Sequence, residues 1–145
     1  MRSEEQHSQK SKCEEYNKQT LRLRLAQLIR LFMDCIFCKI IKKELPAEIT
    51  YQDDNIIAFN DRHPRAPVHQ LIVPKKHIAT LNDLTENDTL LAGNILQIAR
   101  HLAKKENIAQ SGYRTVFNCN KDGGQEVFHL HLHLLGGRPL HWPPG

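Results

Sequence analysis

Nine residues near the C-terminus, Val127-Phe128-His129-Leu130-His131-Leu132-His133-Leu134-Leu135, alternate imidazole with apolar side chains. A period of two marks a β-strand with one face in a core. On this pattern Phe128, Leu130, Leu132 and Leu134 form the core face. His129, His131 and His133 share the opposite face, each about 7 Å from the next at the usual strand rise. A chain with this stretch must build a sheet around it, and the sheet carries three titratable rings in a row. The function is expected on this strand.

The chain has 145 residues, enough for one domain with a real core and too few for two comfortable ones. No apolar run approaches the ~20 residues that span a bilayer. The net charge of +4 is unevenly spread. Residues 1–32 hold seven Lys/Arg against four Asp/Glu, and the remainder holds thirteen against twelve. The globular part is therefore nearly neutral, with no basic stripe to track a phosphate backbone, which argues against specific nucleic-acid binding. Cys13, Cys35, Cys38 and Cys119 do not form a disulfide framework for a chain of this size without a secretory signal. A reducing, cytoplasmic setting is expected, and there Cys35-x-x-Cys38 reads as metal ligands or a redox pair.

Residues 1–20 are polar and aperiodic, so disorder is expected. Residues 21–32 mix Leu, Ile and Phe with three arginines and predict a short basic amphipathic helix. Met33 offers an alternative start, which would make 1–32 a non-native extension of a domain over 33–145. Ile36–Lys43 predicts a short helix stopped by Pro46. Strands are predicted at Glu48–Gln52, Ile56–Asn60 and Val68–Val73, the first two separated by the turn Asp53-Asp54-Asn55. One long helix is predicted over Glu86–Glu106, capped by Thr85 with Asp88, its core stripe being Leu91, Ile95, Ile98 and Leu102. Gly93 within it suggests close packing. A strand over Tyr113–Cys119 and the Asp122-Gly123-Gly124 turn then lead into the histidine strand as a hairpin. The tail Gly136–Gly145, with two further prolines beyond Pro139, cannot pair as a strand and brings Trp142 across the surface. The order of elements predicts an α+β fold with an antiparallel sheet.

Three imidazoles in a row suit nucleophilic catalysis better than a tetrahedral metal. A neutral imidazole nitrogen attacks phosphorus, and its neighbours hold its tautomer, bind phosphoryl oxygens or protonate a leaving group. Gly123-Gly124 adds backbone N–H groups that can approach a phosphate closely.

His129-Leu130-His131-Leu132-His133-Leu134-Leu135 resembles the His-φ-His-φ-His-φ-φ signature of the histidine triad superfamily. Ile36-Phe37, Lys39-Ile40-Ile41, Ala66-Pro67 with His69, Val73-Pro74-Lys75-Lys76-His77, Asp122-Gly123-Gly124-Gln125, Gly136-Gly137-Arg138 and His141-Trp142-Pro143-Pro144-Gly145 resemble its Hint branch, the histidine triad nucleotide-binding proteins. The resemblance covers residues 34–145. It implies a homodimer of five-stranded antiparallel subunits, each with one long and one short helix, sharing one continuous sheet. It also implies hydrolysis of purine nucleoside 5′-phosphoramidates or aminoacyl adenylates to the nucleoside monophosphate. By position, His131 would be the nucleophile, with His69 and His133 orienting it and contacting the phosphate. Asn118 and the backbone around Gly124, Glu126 and Val127 would line the phosphate site, and Asp61 would bind the ribose hydroxyls. Ile36, Phe37, Ile40 and Phe59 would form the base slot, although the pattern alone assigns them to a core. Trp142 would reach the partner subunit's site. Arg62 and Glu126 depart from the branch, which usually has an aliphatic residue and Ser at these places. Zinc-binding relatives elsewhere in the superfamily imply a structural zinc on Cys35, Cys38, His77 and His129, with no cofactor required for the chemistry. Two other readings stay open: a purine-nucleotide-binding regulatory or scaffolding protein, and a dinucleoside polyphosphate hydrolase, against which the tail argues.

Overall fold

The computed structural model describes residues 17–27 and 35–145, and the chain divides into two compact units, Met1–Asp34 and Cys35–Gly145. In the first unit a helix, α1, covers 17–27. Its first turn takes in residues 17–20, for which disorder was expected; the segment has no Gly or Pro and is rich in good helix formers. The remaining expectations for 1–16 and 28–32 lie outside the described residues. Among the described residues no helix is long and apolar enough to cross a membrane.

The second unit runs α2 (Ile36–Ile41), β1 (Ile49–Gln52), β2 (Ile56–Asn60), β3 (Val68–Pro74), two 3-10 turns (Leu81–Asp83 and Glu86–Asp88), α3 (Thr89–Lys105), β4 (Tyr113–Val116) and β5 (Leu132–Gly136). The strands form one antiparallel sheet in the order β1-β2-β3-β5-β4, as the α+β reading predicts. The histidine strand therefore lies inside the sheet, between β3 and β4.

Both faces of the sheet are covered. On one, α3 lays Ile95, Ile98, Ala99, Leu102 and Ala103 against Ile56, Ala58, Ile72, Leu130, Leu132 and Leu134. On the other, Phe37 of α2 closes over Ile57, Phe59, Leu71 and Val73. The capping pair forms as predicted: the Asp88 carboxylate accepts from the Thr85 N–H at 3.0 Å and its hydroxyl at 2.8 Å. The first predicted turn of the long helix is 3-10, so α3 itself starts at Thr89. A Cβ on Gly93 would meet nothing within 4 Å, so this glycine is not packed within its own chain.

The histidine strand is shorter than its alternation implies. Residues 127–131 leave the ladder, and β5 starts at Leu132. The β3–β5 register pairs Ile72 with Leu132, which would set Leu130 opposite Pro74, a residue with no N–H to donate. The alternation of faces survives this ending, since Leu130, Leu132 and Leu134 are all buried. Phe128, assigned to the core by pattern, is instead 52 % exposed, because it lies beyond the last sheet contact. β4 likewise stops at Val116 rather than Cys119, so the predicted hairpin closes through a long connection over 117–131. Gly136, expected in an unpaired tail, ends β5 opposite Val68 and Tyr113.

Candidate active site

His69 and His133 stand on neighbouring strands, diagonal to each other on one face, because Leu71 pairs with His133 and His69 with Leu135. Their side chains meet: His69 Nε2 lies 2.9 Å from His133 Nδ1. The main chain settles the direction of that bond. The Arg65 N–H donates to His69 Nδ1 at 3.0 Å, so a neutral His69 carries its proton on Nε2 and donates to His133 Nδ1. A neutral His133 must then carry its proton on Nε2. That nitrogen is buried and has no hydrogen-bond partner among the described residues. A donor held without an acceptor in this way calls for a ligand oxygen.

His131 is fixed by a different contact. Its Nδ1–H donates to the carbonyl of His129 at 2.7 Å, which leaves the lone pair on Nε2. The ring is buried, edge-on to Phe37 at 5.1 Å and 4.9 Å from the His133 ring. Burial lowers the pKa of His131, of His69 and of His133, the last to about 4. At neutral pH the three rings are therefore uncharged, as a nucleophile and two hydrogen-bonding partners require.

These shifts have a consequence for stability. For His69 burial dominates, Arg65 and His131 add to it, and Asp61 opposes. For His133 burial again dominates, His131 and His69 add to it, and Asp61 opposes. The unfolded chain binds protons at these rings near pH 6.5, whereas the folded chain binds them only at lower pH. Stability should therefore fall as the pH drops from 7 towards 4. In chemical denaturation at pH 7 and pH 5, His133→Gln is expected to lose less stability than the natural chain; equal losses would contradict this assignment.

Asp61 lies at the His69 end of the cluster, with Oδ2 3.4 Å from His69 Nε2 and Oδ1 accepting from the His63 N–H at 2.8 Å. Phe37 and Phe59 meet edge to face at 5.5 Å inside the apolar cluster, with Ile40 and Val127 packed against it, while Ile36 is exposed. Asn118 is half-buried and Glu126 exposed in the connection that precedes the histidines. In that connection Gly124, at φ +72°, donates its N–H to Lys121 O, and Gln125 donates its own to Asn120 O. The Gly124 N–H is therefore committed within the turn and is not offered to a phosphate, contrary to expectation. The N–H groups of Glu126 and Val127 have no partner among the described residues. Trp142 is 82 % exposed, in a tail tied down where Arg114 Nη2 donates to His141 O.

Sequence reasoning overlooked two residues. The buried Gln125 braces the connection, accepting from Asn120 N and donating to Ala79 O and Val127 O. Arg65 acts through its main-chain N–H, which no side-chain pattern can reveal.

Behind the histidines, one donor atom from each of Cys35, Cys38, His77 and His129 lies within 4.8 Å of the others. His77 Nδ1 is 3.1 Å from His129 Nδ1 and 3.3 Å from Cys38 Sγ, and Cys35 Sγ is 3.4 Å from His129 Nδ1. Tetrahedral zinc bonds place such atoms roughly 3.3–3.8 Å apart, so the set fits a zinc-sized ion. His129 Nε2–H donates to Pro74 O at 2.7 Å, which turns the Nδ1 lone pair to the cluster, an arrangement typical of metal-bound histidine.

Neutral imidazoles gathered from β3, from β5 and from the segment that leads into β5 point to a small histidine-centred enzyme. Residues 34–139 match the family described as scavenger mRNA decapping enzyme C-term binding. The chain is 49% identical over 107 residues to the purine nucleoside phosphoramidase of Escherichia coli K12, covering 74% of this chain and 90% of that protein. It is 51% identical over 112 residues to an uncharacterised HIT-like protein of Synechococcus elongatus, covering 77% and 97%. A HIT family hydrolase of Legionella pneumophila superposes with a TM-score of 0.76 at 56% identity, covering 77% of this chain and all of that one. The chain belongs to the histidine triad (HIT) family of hydrolases.

Proposed function

We propose that the chain hydrolyses purine nucleoside 5′-phosphoramidates and aminoacyl adenylates through a nucleotidyl-histidine at His131. The observation that carries this reading is the pair of adjacent nitrogens with opposite roles. His131 Nε2 presents a lone pair, and His133 Nε2 presents an unpartnered N–H. In the first step His131 Nε2 forms a bond to phosphorus while the bond from phosphorus to the amine nitrogen breaks, the amine taking a proton from solvent; with an aminoacyl adenylate the bond to the acyl oxygen breaks and the carboxylate leaves as the anion. In the second step water forms the new bond to phosphorus and gives up its proton to solvent, the phosphorus bond to His131 breaks with its electron pair returning to Nε2, and the nucleoside monophosphate is released. His133 donates to a phosphoryl oxygen. The N–H groups of Glu126 and Val127, with Asn118 and the turn at Gly124, surround the phosphate. Asp61 meets the ribose, and Ile36, Phe37, Ile40 and Phe59 meet the base. Similarity to a protein named purine nucleoside phosphoramidase supports the substrate class.

The test is a single-turnover reaction with an adenosine phosphoramidate, quenched under conditions that preserve phosphohistidine and read by mass spectrometry. A transient nucleoside monophosphate adduct on His131 with release of amine is the expected result. Binding without adduct or amine release would replace the hydrolase reading with that of a nucleotide-binding protein.

The same reading includes a homodimer. Among the described residues β4 pairs only with β5, which leaves its outer edge open, and Tyr113 and Thr115 on it are exposed. Pairing of two such edges would join the sheets and bring Trp142 towards the partner's site. Cys35, Cys38, His77 and His129 would hold a structural zinc, which supplies stability and takes no part in the reaction. Protein purified without chelator is expected to hold one zinc per chain and to melt at lower temperature after chelation. Metal content well below that would refute the zinc site.

A further inference from the structure

The Gly136-Gly137-Arg138 segment takes no part in the chemistry above, yet it is locked at three places onto the start of β3 and the loop that precedes it. Gly136 pairs with Val68 at the end of the sheet. A Cβ on Gly137, at φ +87°, would stand 2.9 Å from Pro67 Cβ, so only glycine lets the two backbones approach this closely. The Arg138 guanidinium reaches back across the loop, with Nη1 donating to Pro139 O and Nη2 to Arg65 O, both at 2.9 Å.

Arg65 is the residue whose N–H holds His69 Nδ1. That bond decides both tautomers of the pair. While it stands, His69 donates from Nε2, His133 accepts at Nδ1, and the His133 proton sits on the buried, unpartnered Nε2. If the Arg65 N–H swung away, His69 could carry its proton on Nδ1 and accept at Nε2. His133 would then donate from Nδ1 and turn a bare lone pair towards the substrate. A lone pair facing a phosphoryl oxygen repels it. Asp61 Oδ2, 3.4 Å from His69 Nε2, favours the proton on that nitrogen and works in the same direction as Arg65.

We propose that Arg138 is a positioning residue for the reaction: by holding the Arg65 carbonyl it keeps the Arg65 N–H on His69, and so keeps His133 as an N–H donor to the substrate. Arg138 touches neither the substrate nor the reacting atoms. It is exposed, and its bonds are to main-chain carbonyls at the surface, so losing them costs little stability. This inference rests on the proposed reaction for its kinetic consequence, but its structural claim concerns His69 and His133 alone.

The experiment uses the full chain with 15N-labelled histidine rings, the Arg138→Gln and Arg138→Lys variants, and an adenosine phosphoramidate as substrate. Long-range proton–nitrogen spectra report which ring nitrogen of each neutral histidine is protonated. In the natural chain His69 and His133 are both expected as Nε2–H tautomers. Arg138→Gln is expected to shift both towards a mixture, and to lower kcat about tenfold with KM changed less than about twofold, since one donor's alignment is lost. Arg138→Lys, which can still donate to the Arg65 carbonyl, is expected to recover part of both effects. Unchanged tautomers in Arg138→Gln would overturn the proposal whatever the rate does, and so would shifted tautomers with an unchanged kcat. Failure of the reaction itself is seen separately, as absence of an adduct on His131 in the natural chain.

Discussion

His131→Ala is expected to reduce turnover of a nucleoside phosphoramidate by about 10⁴-fold or more while leaving nucleotide affinity within a few-fold. The variant removes the one lone pair that the main chain aims into the site, at His131 Nε2. It leaves in place the His133 donor, the Glu126 and Val127 N–H groups and the apolar cluster around Phe37. A covalent route without its nucleophile loses the intermediate altogether, and losses of this size are usual when a nucleophile is deleted. Binding rests chiefly on the groups left in place, and the loss of the ring packed against Phe37 and His133 accounts for the few-fold change allowed in affinity. Steady-state kinetics and calorimetric titration with the nucleoside monophosphate check the two halves separately. Appreciable residual turnover would move the nucleophile elsewhere.

Gly123→Ala is expected to be the most damaging single change outside the histidines. A Cβ there would lie 2.5 Å from Cys119 O and 2.8 Å from Cys119 N, both main-chain atoms that cannot swing aside. The connection must open to accept it, and the Gln125 brace would be pulled from Asn120 N. The N–H groups of Glu126 and Val127 would move with it. Displacements near 1 Å in a positioning element cost about 10² in rate, so kcat/KM is expected to fall by about that factor. Gly124→Ala meets no atom within 4 Å but must hold φ at +72°. It is therefore expected to cost about 1 kcal/mol of stability with a smaller kinetic effect. If Gly123→Ala kept full activity, the connection would not be shaping the phosphate site.

Side chains that repeat along an element were legible in the sequence. β2 and β3 follow from short apolar runs bounded by turn residues and the stripe of α3 from periodicity, and Leu130, Leu132 and Leu134 went to the core as their spacing implies. The grouping of Cys35, Cys38, His77 and His129 was inferred by resemblance, and the structure brings their donor atoms together. What could not be read was decided by partners that no side-chain pattern displays, whether on a neighbouring strand or in the main chain a few residues away. The strand through His129 ends early because residue 74 on the neighbouring strand is a proline, which nothing within 127–135 announces. Phe128 is exposed for the same reason. The tautomers of His69 and His131 depend on the Arg65 N–H and the His129 carbonyl, and main-chain groups leave no trace in side-chain patterns. Gly123 and Gly124 read as a pair offering N–H groups, whereas one makes room for Cys119 and the other spends its N–H on Lys121.

The tail has a spectroscopic consequence. Trp142 is the chain's single tryptophan, and it stands 82 % exposed, outside the buried clusters on either face of the sheet. Its emission in the separate chain should be that of a water-bathed indole and should change little when the core melts. Tryptophan fluorescence would therefore be nearly blind to unfolding of the sheet. A blue shift on raising the protein concentration, or on adding nucleotide, would instead record the tail finding a surface to cover it.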